Sequence, residues 1–386
     1  MVESKILLLD TSFSAKPIYD YLVSTGAEVY VLGGNPNDAL AKFVDNYINL
    51  NYVNVDEVKS QIKKLGIDFL VPGGNDFSYK VCSEINQEFD FYNIDPVEVN
   101  QTINDKEKFG KFAYKIELHV PRLFENIDDA KNNLPVIVKP ADAYSGHGTA
   151  VVDGNENNDL ENAVKTAKEF SKTGTYLIEE FVKGQLYSHS AFIVNGEVLI
   201  DFIVEEHCIV NKFAVDTSRV IFDFDENILN QIRKDITKLA DKLSLPDGLI
   251  HTQFICDDNN FWLIEITRRC PGDLYSRLIQ ESTGFPYAEF YAKPFLNIKN
   301  ELKNFQLNKK NVIRHTVTQD HKSNYNLIKF LHPFDNLEFI PLSSTGDEIR
   351  ESPFSRIGII FVFSNNEADS QLLFKKFIKR NLYEIL

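Results

Sequence analysis

Cysteine, methionine and tryptophan are all scarce in this chain, and long hydrophobic runs are absent. Its 386 residues include 4 Cys, 1 Met and 1 Trp. The cysteines, Cys82, Cys208, Cys256 and Cys270, are too far apart for a CxxC pair or for zinc-ligand spacing. No apolar run approaches the roughly 20 residues that span a bilayer, and residues 1–9 are too short and wrongly flanked for a signal peptide. We therefore expect a cytoplasmic protein with reduced cysteines and no membrane partner.

A surplus of basic residues is missing as well. Lys and Arg number 41 against 56 Asp and Glu, which gives a formal net charge of -15. Nucleic acids and anionic membranes both require an extended positive surface, so neither is expected as the main partner. The 43% hydrophobic and 25% charged content is that of an ordinary globular protein. At roughly 150 residues per domain, the length predicts two to three domains.

The first ninety-odd residues alternate between short β-rich runs and helical patterns, which is typical of a parallel α/β sheet. Strands are predicted at 5–10, 28–32 and 67–71, and helices at 15–24 and 55–65. Two glycine pairs, Gly33-Gly34 and Gly73-Gly74, fall at strand ends. Neither forms a GxGxxG fingerprint, so structural turns are favoured over a nucleotide site.

Different patterns follow from about residue 95. A helical pattern at 97–116 is followed by a predicted strand at 134–139, a loop rich in Gly and Ser at 141–149, a helix at 160–171 and a strand at 176–182. Asn195-Gly196 predicts a type I′ hairpin, and apolar spacing predicts an amphipathic helix at 226–243. After residue 300, strands at 312–317, 337–340 and 357–363 and a helix at 367–378 predict a small C-terminal α/β domain.

Residues 251–267 form the most informative local pattern. If Asp257 pairs with Phe261 across a three-residue turn, Gln253 lies opposite Glu265, and alternation puts Thr267 on the same face. Three oxygen-bearing side chains then converge on one patch, which suits a hard cation such as Mg²⁺. A solvated polar sheet face is the alternative interpretation, and a slip of one residue in register would destroy the patch.

Several segments resemble, in the same order, the motifs of the ATP-grasp superfamily. They are Asp105-Lys106, Val138-Lys139-Pro140, the Gly-rich loop, residues 179–182 and Glu265–Gly272, which is similar to E-x-N-x-R-x-x-G with Thr267 in place of Asn. The resemblance, to biotin carboxylase and D-alanine-D-alanine ligase modules, covers roughly residues 95–300. It implies mixed α/β and α+β architecture, with a Rossmann-like pre-ATP-grasp domain at 1–95 and a two-lobed ATP-grasp module at 96–300. The small lobe is expected at about 110–185, and residues 301–386 form the C-terminal α/β domain.

The resemblance assigns expected roles to particular residues. Phosphate binding is expected of Lys106, Lys139 and the loop residues Ser145, Gly146, His147 and Gly148. The strand on which adenine lies is expected to be Glu179, Glu180, Phe181 and Val182. Lys212 is a candidate for the γ-phosphate, against a solvated lysine. Leu186 replaces the usual ribose-binding Glu, for which Gln185 or His189 is a substitute.

The resemblance also implies a chemistry. ATP and Mg²⁺ or Mn²⁺ are the expected cofactors, with Gln253, Glu265 and Thr267 as metal ligands. Arg269 is expected to hold a substrate carboxylate, against a structural Arg paired with a nearby acid. The favoured function is a ligase that joins a small carboxylate, an amino acid or a sugar acid, to an amine through an acylphosphate. A bicarbonate- or formate-activating enzyme and a catalytically inactive ATP-binding protein are the alternatives, and a homodimer is left open.

Overall fold

The computed structural model describes residues 4–142, 146–154 and 159–386, so the predicted loop residue Ser145 lies outside the described part. None of the helices in these ranges has the length and hydrophobicity that crossing a membrane requires. The architecture is mixed α/β, with a parallel sheet first and antiparallel sheets after it.

The N-terminal region is the predicted parallel α/β unit, with strand order β3-β2-β1-β4. Its elements are β1 (Lys5–Leu9), α1 (Lys16–Ser24), β2 (Glu28–Gly33), β3 (Tyr47–Asn49), α2 (Val55–Leu65), β4 (Phe69–Pro72) and α3 (Asp76–Ile85). Gly73 allows the turn after β4 to approach β1, because a Cβ there would lie 2.1 Å from the Asp10 side chain. Asn75 caps α3, its side-chain oxygen accepting from the Ser78 amide.

A pair of helices then leads into a small antiparallel sheet with strand order β5-β8-β6-β7. The elements are α4 (Val97–Asn104), α5 (Lys106–Lys115), β5 (Leu123–Phe124), α6 (Ile127–Lys131), β6 (Val136–Pro140), β7 (Ala150–Val152), α7 (Leu160–Phe170) and β8 (Tyr176–Glu180). Asp105 separates α4 from α5 and caps α5 by accepting from the amides of Glu107 and Lys108. This cap places Lys106 at the first position of the helix.

The central part contains β9 (Gln185–Val194), β10 (Glu197–His207), β11 (Thr217–Ile221), α8 (Glu226–Leu243), β12 (Gly248–Cys256) and β13 (Phe261–Thr267). Asn195 and Gly196, with φ of 54° and 80°, make the predicted turn between β9 and β10. α8 has the predicted bounds and buries its apolar side against one face of the sheet, with Ala191, Ile250 and Phe254. The opposite face of these strands is therefore the one left for the cleft described below.

The C-terminal part extends the same sheet. It contains α9 (Tyr275–Thr283), α10 (Tyr287–Ala292), β14 (Asn311–Val317), β15 (Ser323–Asn324), β16 (Ile328–Phe330), β17 (Leu337–Pro341), β18 (Glu348–Ile349), β19 (Gly358–Ser364), α11 (Glu367–Ile378) and β20 (Tyr383–Ile385). β14 pairs with β11, which gives the order β13-β12-β9-β10-β11-β14-β19-β17. Residues 301–386 thus share a sheet with the preceding region, while the domain boundaries stay a prediction.

Candidate active site

A cleft of about 650 Å³ runs between the small antiparallel sheet and the large sheet. Most of the predicted site residues line it. They are Lys106, Lys139, Gly146, Glu179, Glu180, Phe181, Val182, Lys212, Gln253, Glu265, Thr267 and Arg269. Of the described loop residues, His147 and Gly148 are not part of this lining, and the His147 ring lies 4.6 Å from that of Phe354. The structure therefore brings together residues as far apart in the sequence as Lys106 and Arg269.

Two lysines enter the cleft from the small-lobe side. Lys139, on β6, forms an ion pair of 2.5 Å with Glu179 on the neighbouring β8. Lys106 lies at the start of α5, and its burial lowers the pKa of its ammonium group, which Glu265 partly offsets. Gly146 adopts φ of 69° beside Phe213. A Cβ at position 146 would lie 2.2 Å from the Cβ of Phe213. Only glycine fits this close approach.

Part of the cleft lining is apolar. It includes Ile137, Leu186, Ile255 and Ile264 from strands of both sheets, and Val182 from the segment between β8 and β9. A layer of this kind between two sheets suits a planar aromatic base.

In the β12–β13 hairpin, the strand pairing at the site is the predicted one, but the turn that joins the two strands differs from the prediction. Gln253 does pair with Glu265, and His251 with Thr267. The turn, however, is wrong in the prediction, because Cys256 rather than Asp257 pairs with Phe261. A bulge between Gln253 and Phe254 shifts the register by one residue and restores the predicted pairs near the cleft.

The three predicted metal ligands differ in what they can offer. Glu265 is exposed in the cleft, whereas the Gln253 amide donates from Nε2 to Glu206 Oε2 at 2.7 Å, which leaves its oxygen as the available ligand atom. The Thr267 hydroxyl instead donates to Asp76 Oδ1 at 3.0 Å. Within the described residues, no group of three or more His, Cys, Asp or Glu is placed to hold a metal. One carboxylate and one amide oxygen still fit Mg²⁺, which takes its remaining ligands from water and phosphate.

Glu206 and His251 are functional candidates that the sequence reasoning missed. Both line the cleft beneath Gln253, and burial raises the pKa of Glu206 to about 7. Burial and then the charge of Arg269 lower the pKa of His251 to about 3, so its ring is neutral near pH 7. The ring bonds through Nδ1 to Ser190 Oγ at 2.8 Å. Alternation along β10 and β12 could have placed both on the face of Gln253.

The consecutive arginines after β13 point to opposite sides, as strand alternation predicts. Arg268 is buried and pairs with the buried Asp95 at 3.1 Å. Arg269 lines the cleft and binds Asp76 through two hydrogen bonds, Nε to Oδ1 at 2.9 Å and Nη2 to Oδ2 at 3.0 Å. Burial opposes ionisation of Asp76, but the Arg269 guanidinium outweighs it and lowers the pKa of that carboxyl. Arg269 therefore has an acidic partner, the alternative considered from the sequence, and also lies in the cleft.

A third arginine, Arg314, was also missed. It lies on β14, is 1% exposed, and lines the cleft together with Thr316 on the same face of the strand and Thr318 just after it. Its Nη2 donates to Asp273 Oδ2 at 2.9 Å, and Asp273 and Leu274 both have positive φ, 53° and 61°. An Arg inside the predicted strand at 312–317, directly after Val312 and Ile313, was the signal that could have identified it.

The suggested ribose contacts have different outcomes. His189 is fully buried and bonds to Asp201 at 3.0 Å on the α8 side of the sheet, so it was wrong as a cleft residue. Gln185 lines the cleft, and its Nε2 donates to the carbonyls of Leu186 and Glu206. Its side-chain oxygen remains a candidate acceptor for a sugar hydroxyl.

Comparison with known proteins identifies the central region. Residues 132–276 match the family model of the ATP-grasp domain. This stretch of the chain is therefore similar to an ATP-grasp domain. The resemblance noted in the sequence is thereby confirmed for this region, and with it the ATP-grasp fold around the cleft.

Similar proteins extend this likeness beyond the matched domain. The carbamoyl phosphate synthase large chain of Methanobrevibacter smithii is 26% identical over 266 residues, which cover 66% of this chain and 24% of that protein. The formate-dependent phosphoribosylglycinamide formyltransferase of Prochlorococcus marinus subsp. pastoris is 25% identical over 344 residues, covering 84% and 83%. An L-amino acid ligase structure from Bacillus licheniformis superposes with a TM-score of 0.80 at 14% identity, covering 100% and 99%. This chain thus spans about a quarter of the synthase, 83% of the formyltransferase and 99% of the ligase.

Proposed function

We propose that this ATP-grasp protein is an ATP-dependent carboxylate-amine ligase that forms an amide or peptide bond through an acylphosphate and releases ADP and phosphate. One observation carries the proposal. A single cleft between two sheets is lined by apolar side chains, by the lysines Lys106, Lys139 and Lys212, and by the arginines Arg269 and Arg314. This arrangement suits a nucleotide at one end and a small carboxylate at the other.

At the nucleotide end, phosphoryl transfer requires positioning and neutralisation of charge. Lys106 and Lys139 supply cationic donors to the phosphates, with Lys212 entering from the loop between β10 and β11. Glu265 and the Gln253 oxygen would hold Mg²⁺ or Mn²⁺, which neutralises phosphate charge when bound. The main chain at Glu180 and Val182 reads the edge of the base.

At the other end, a guanidinium can bind both oxygens of a carboxylate and stabilise the charge of a tetrahedral intermediate. We assign this role to Arg269, with Arg314 beside it. A carboxylate oxygen of the substrate attacks the γ-phosphorus, ADP leaves, and an amine then attacks the carbonyl carbon and expels phosphate. Glu206 and Asp273 line the same end and are suited to bind an ammonium group before it loses its proton.

A second candidate function has support of its own. The formyltransferase relative, which is formate-dependent by name, matches this chain over 84% of its length and 83% of that protein. A biotin carboxylase domain with a TM-score of 0.74 was solved with MgADP and bicarbonate. Activation of formate or bicarbonate by the same residues is therefore the alternative.

A screen for phosphate release, with carboxylates crossed against amines, tests these proposals. The ligase predicts ADP and phosphate only when both an acid and an amine are present, and loss of that turnover in Glu265→Gln and Arg269→Ala. Glu88→Gln, at an exposed acid far from the cleft, is the matched control. Wild-type rates in both cleft variants would sink the ligase assignment. ATP cleavage stimulated by formate or bicarbonate without an amine would favour the alternative. ATP binding without any turnover would indicate a catalytically inactive protein.

A further inference from the structure

Asp76 belongs to the N-terminal region, yet its side chain lies in the ATP-grasp cleft. It is the first residue of α3, which begins directly after the Gly73-Gly74 turn. The side chain lines the cleft together with Lys106, Glu265 and Arg269 and keeps 31% of its surface exposed. A helix N-terminus favours a carboxylate at this position, because the amide dipoles point toward it.

The carboxylate of Asp76 uses both oxygens on β13 and the residues after it. Oδ1 accepts from Arg269 Nε and from the Thr267 hydroxyl, and Oδ2 accepts from Arg269 Nη2. A two-point contact fixes the plane of a guanidinium as well as its position. Among the described residues, the third nitrogen, Nη1, has only one long hydrogen bond, 3.4 Å to the Cys270 carbonyl.

A purely structural clamp between the N-terminal region and β13 is supplied elsewhere. Arg268 and Asp95 form a fully buried pair between the same two regions, on the other side of the chain. The pair of Asp76 and Arg269 differs because it lies in the cleft and remains partly exposed. Its position is that of a group that orients a ligand-binding side chain.

We propose that Asp76 is a positioning residue for the ligase reaction, holding Arg269 so that the remaining edge of its guanidinium faces the substrate carboxylate. The inference rests on the proposed function. It means that the N-terminal region completes the active site through Arg269, without itself touching the reacting atoms. The Thr267 hydroxyl donates to the same Asp76 carboxylate, which gives a reason for a hydroxyl at the position where the ATP-grasp motif has Asn.

A double-mutant cycle on turnover tests this inference. The variants are Asp76→Ala, Asp76→Asn, Arg269→Ala and Asp76→Ala with Arg269→Ala, all assayed with the acid and amine that the wild type uses. We expect Asp76→Ala to lower kcat about 100-fold, the loss associated with misplacing a reacting group by about 1 Å. KM for ATP should change less than about threefold, because the Asp76 side chain bonds to Thr267 and Arg269, whereas adenine is proposed to lie against other residues of the cleft. In the double variant, kcat should equal that of Arg269→Ala, since Asp76 acts only through the arginine.

The controls separate folding and function from positioning. Asp76→Asn keeps the shape and the acceptor for Thr267, so it should fold and still lose kcat, with the far-ultraviolet circular dichroism of the wild type. Glu84→Gln, on the same helix but outside the cleft, should retain wild-type kcat. Retention of kcat in both Asp76 variants, or additive losses in the double variant, would overturn the positioning role alone. Absence of turnover in the wild type with every acid and amine would overturn the proposed function and this inference together.

Discussion

Substitutions at the neighbouring arginines Arg268 and Arg269 should have opposite main effects: the first should lower stability and the second should lower turnover. Arg268 is the sharper case, because its side chain is 2% exposed and its partner Asp95 is fully buried. Its guanidinium also donates to the carbonyls of Leu249 at 2.6 Å and Pro246 at 2.7 Å. Arg268→Met keeps most of the volume and removes every one of these donors.

The expected loss of unfolding free energy follows from the charge of Asp95 that Arg268→Met leaves unpaired. Removing one partner of a buried ion pair strands the other charge, which costs about 3–5 kcal/mol of unfolding free energy. Arg269→Met should cost less, about 1.5–3 kcal/mol for its charged hydrogen bonds, because Asp76 stays accessible to water. Turnover should show the reverse order. Arg268→Met should retain activity per folded molecule, while Arg269→Met should lose it.

Urea unfolding followed by circular dichroism, with turnover measured on the same samples, checks both orders. The double variant Asp95→Asn with Arg268→Met is the control, because it removes the stranded charge and should recover much of the lost stability. A stability change of less than about 1 kcal/mol in Arg268→Met would refute the reasoning, given the penalty for an unpaired buried charge. So would a double variant less stable than the single one.

Two further predictions concern acid stability and the metal. Burial lowers the pKa of His315 and of His251 from 6.5 to about 3, so the unfolded chain takes up protons first as pH falls below 6.5. Stability should therefore fall with decreasing pH, by about 2 kcal/mol per histidine between pH 8 and 5, and His315→Gln should flatten this dependence in urea unfolding. Glu206→Ala should raise the Mg²⁺ concentration for half-maximal turnover about tenfold or more, because Gln253 loses the partner that orients its amide. Unchanged pH dependence or metal dependence would contradict the respective prediction.

Local patterns carried much of the fold. The apolar spacing of residues 226–243 predicts α8 because one helical face is buried, and Asn195-Gly196 predicts its hairpin because both residues adopt positive φ. The pairing of Gln253 with Glu265 was predicted correctly although the predicted turn was wrong, because a bulge between Gln253 and Phe254 shifts the register by one residue. Register near a site is thus set by burial along the strand as much as by the turn.

Contacts between distant segments were beyond the sequence. Asp76 meets Arg269 193 residues later, and the sequence pattern after Gly73-Gly74 did not indicate α3. Arg314 reaches the cleft only because β14 pairs with β11, a contact that depends on the assembled sheet. Residue types and spacing identify candidates, whereas their partners depend on how the elements pack.

Those partners also change the electrostatic account of the cleft. The net charge of -15 suggests acidic outer faces around a cationic site, yet the site cations have acidic partners of their own. Lys139 pairs with Glu179, Arg269 with Asp76 and Arg314 with Asp273. Such pairs hold the cations in place before a ligand arrives, but they also reduce the positive potential available to a triphosphate. Binding of ATP should therefore depend strongly on the divalent cation, because the fixed charges of the cleft are already largely balanced.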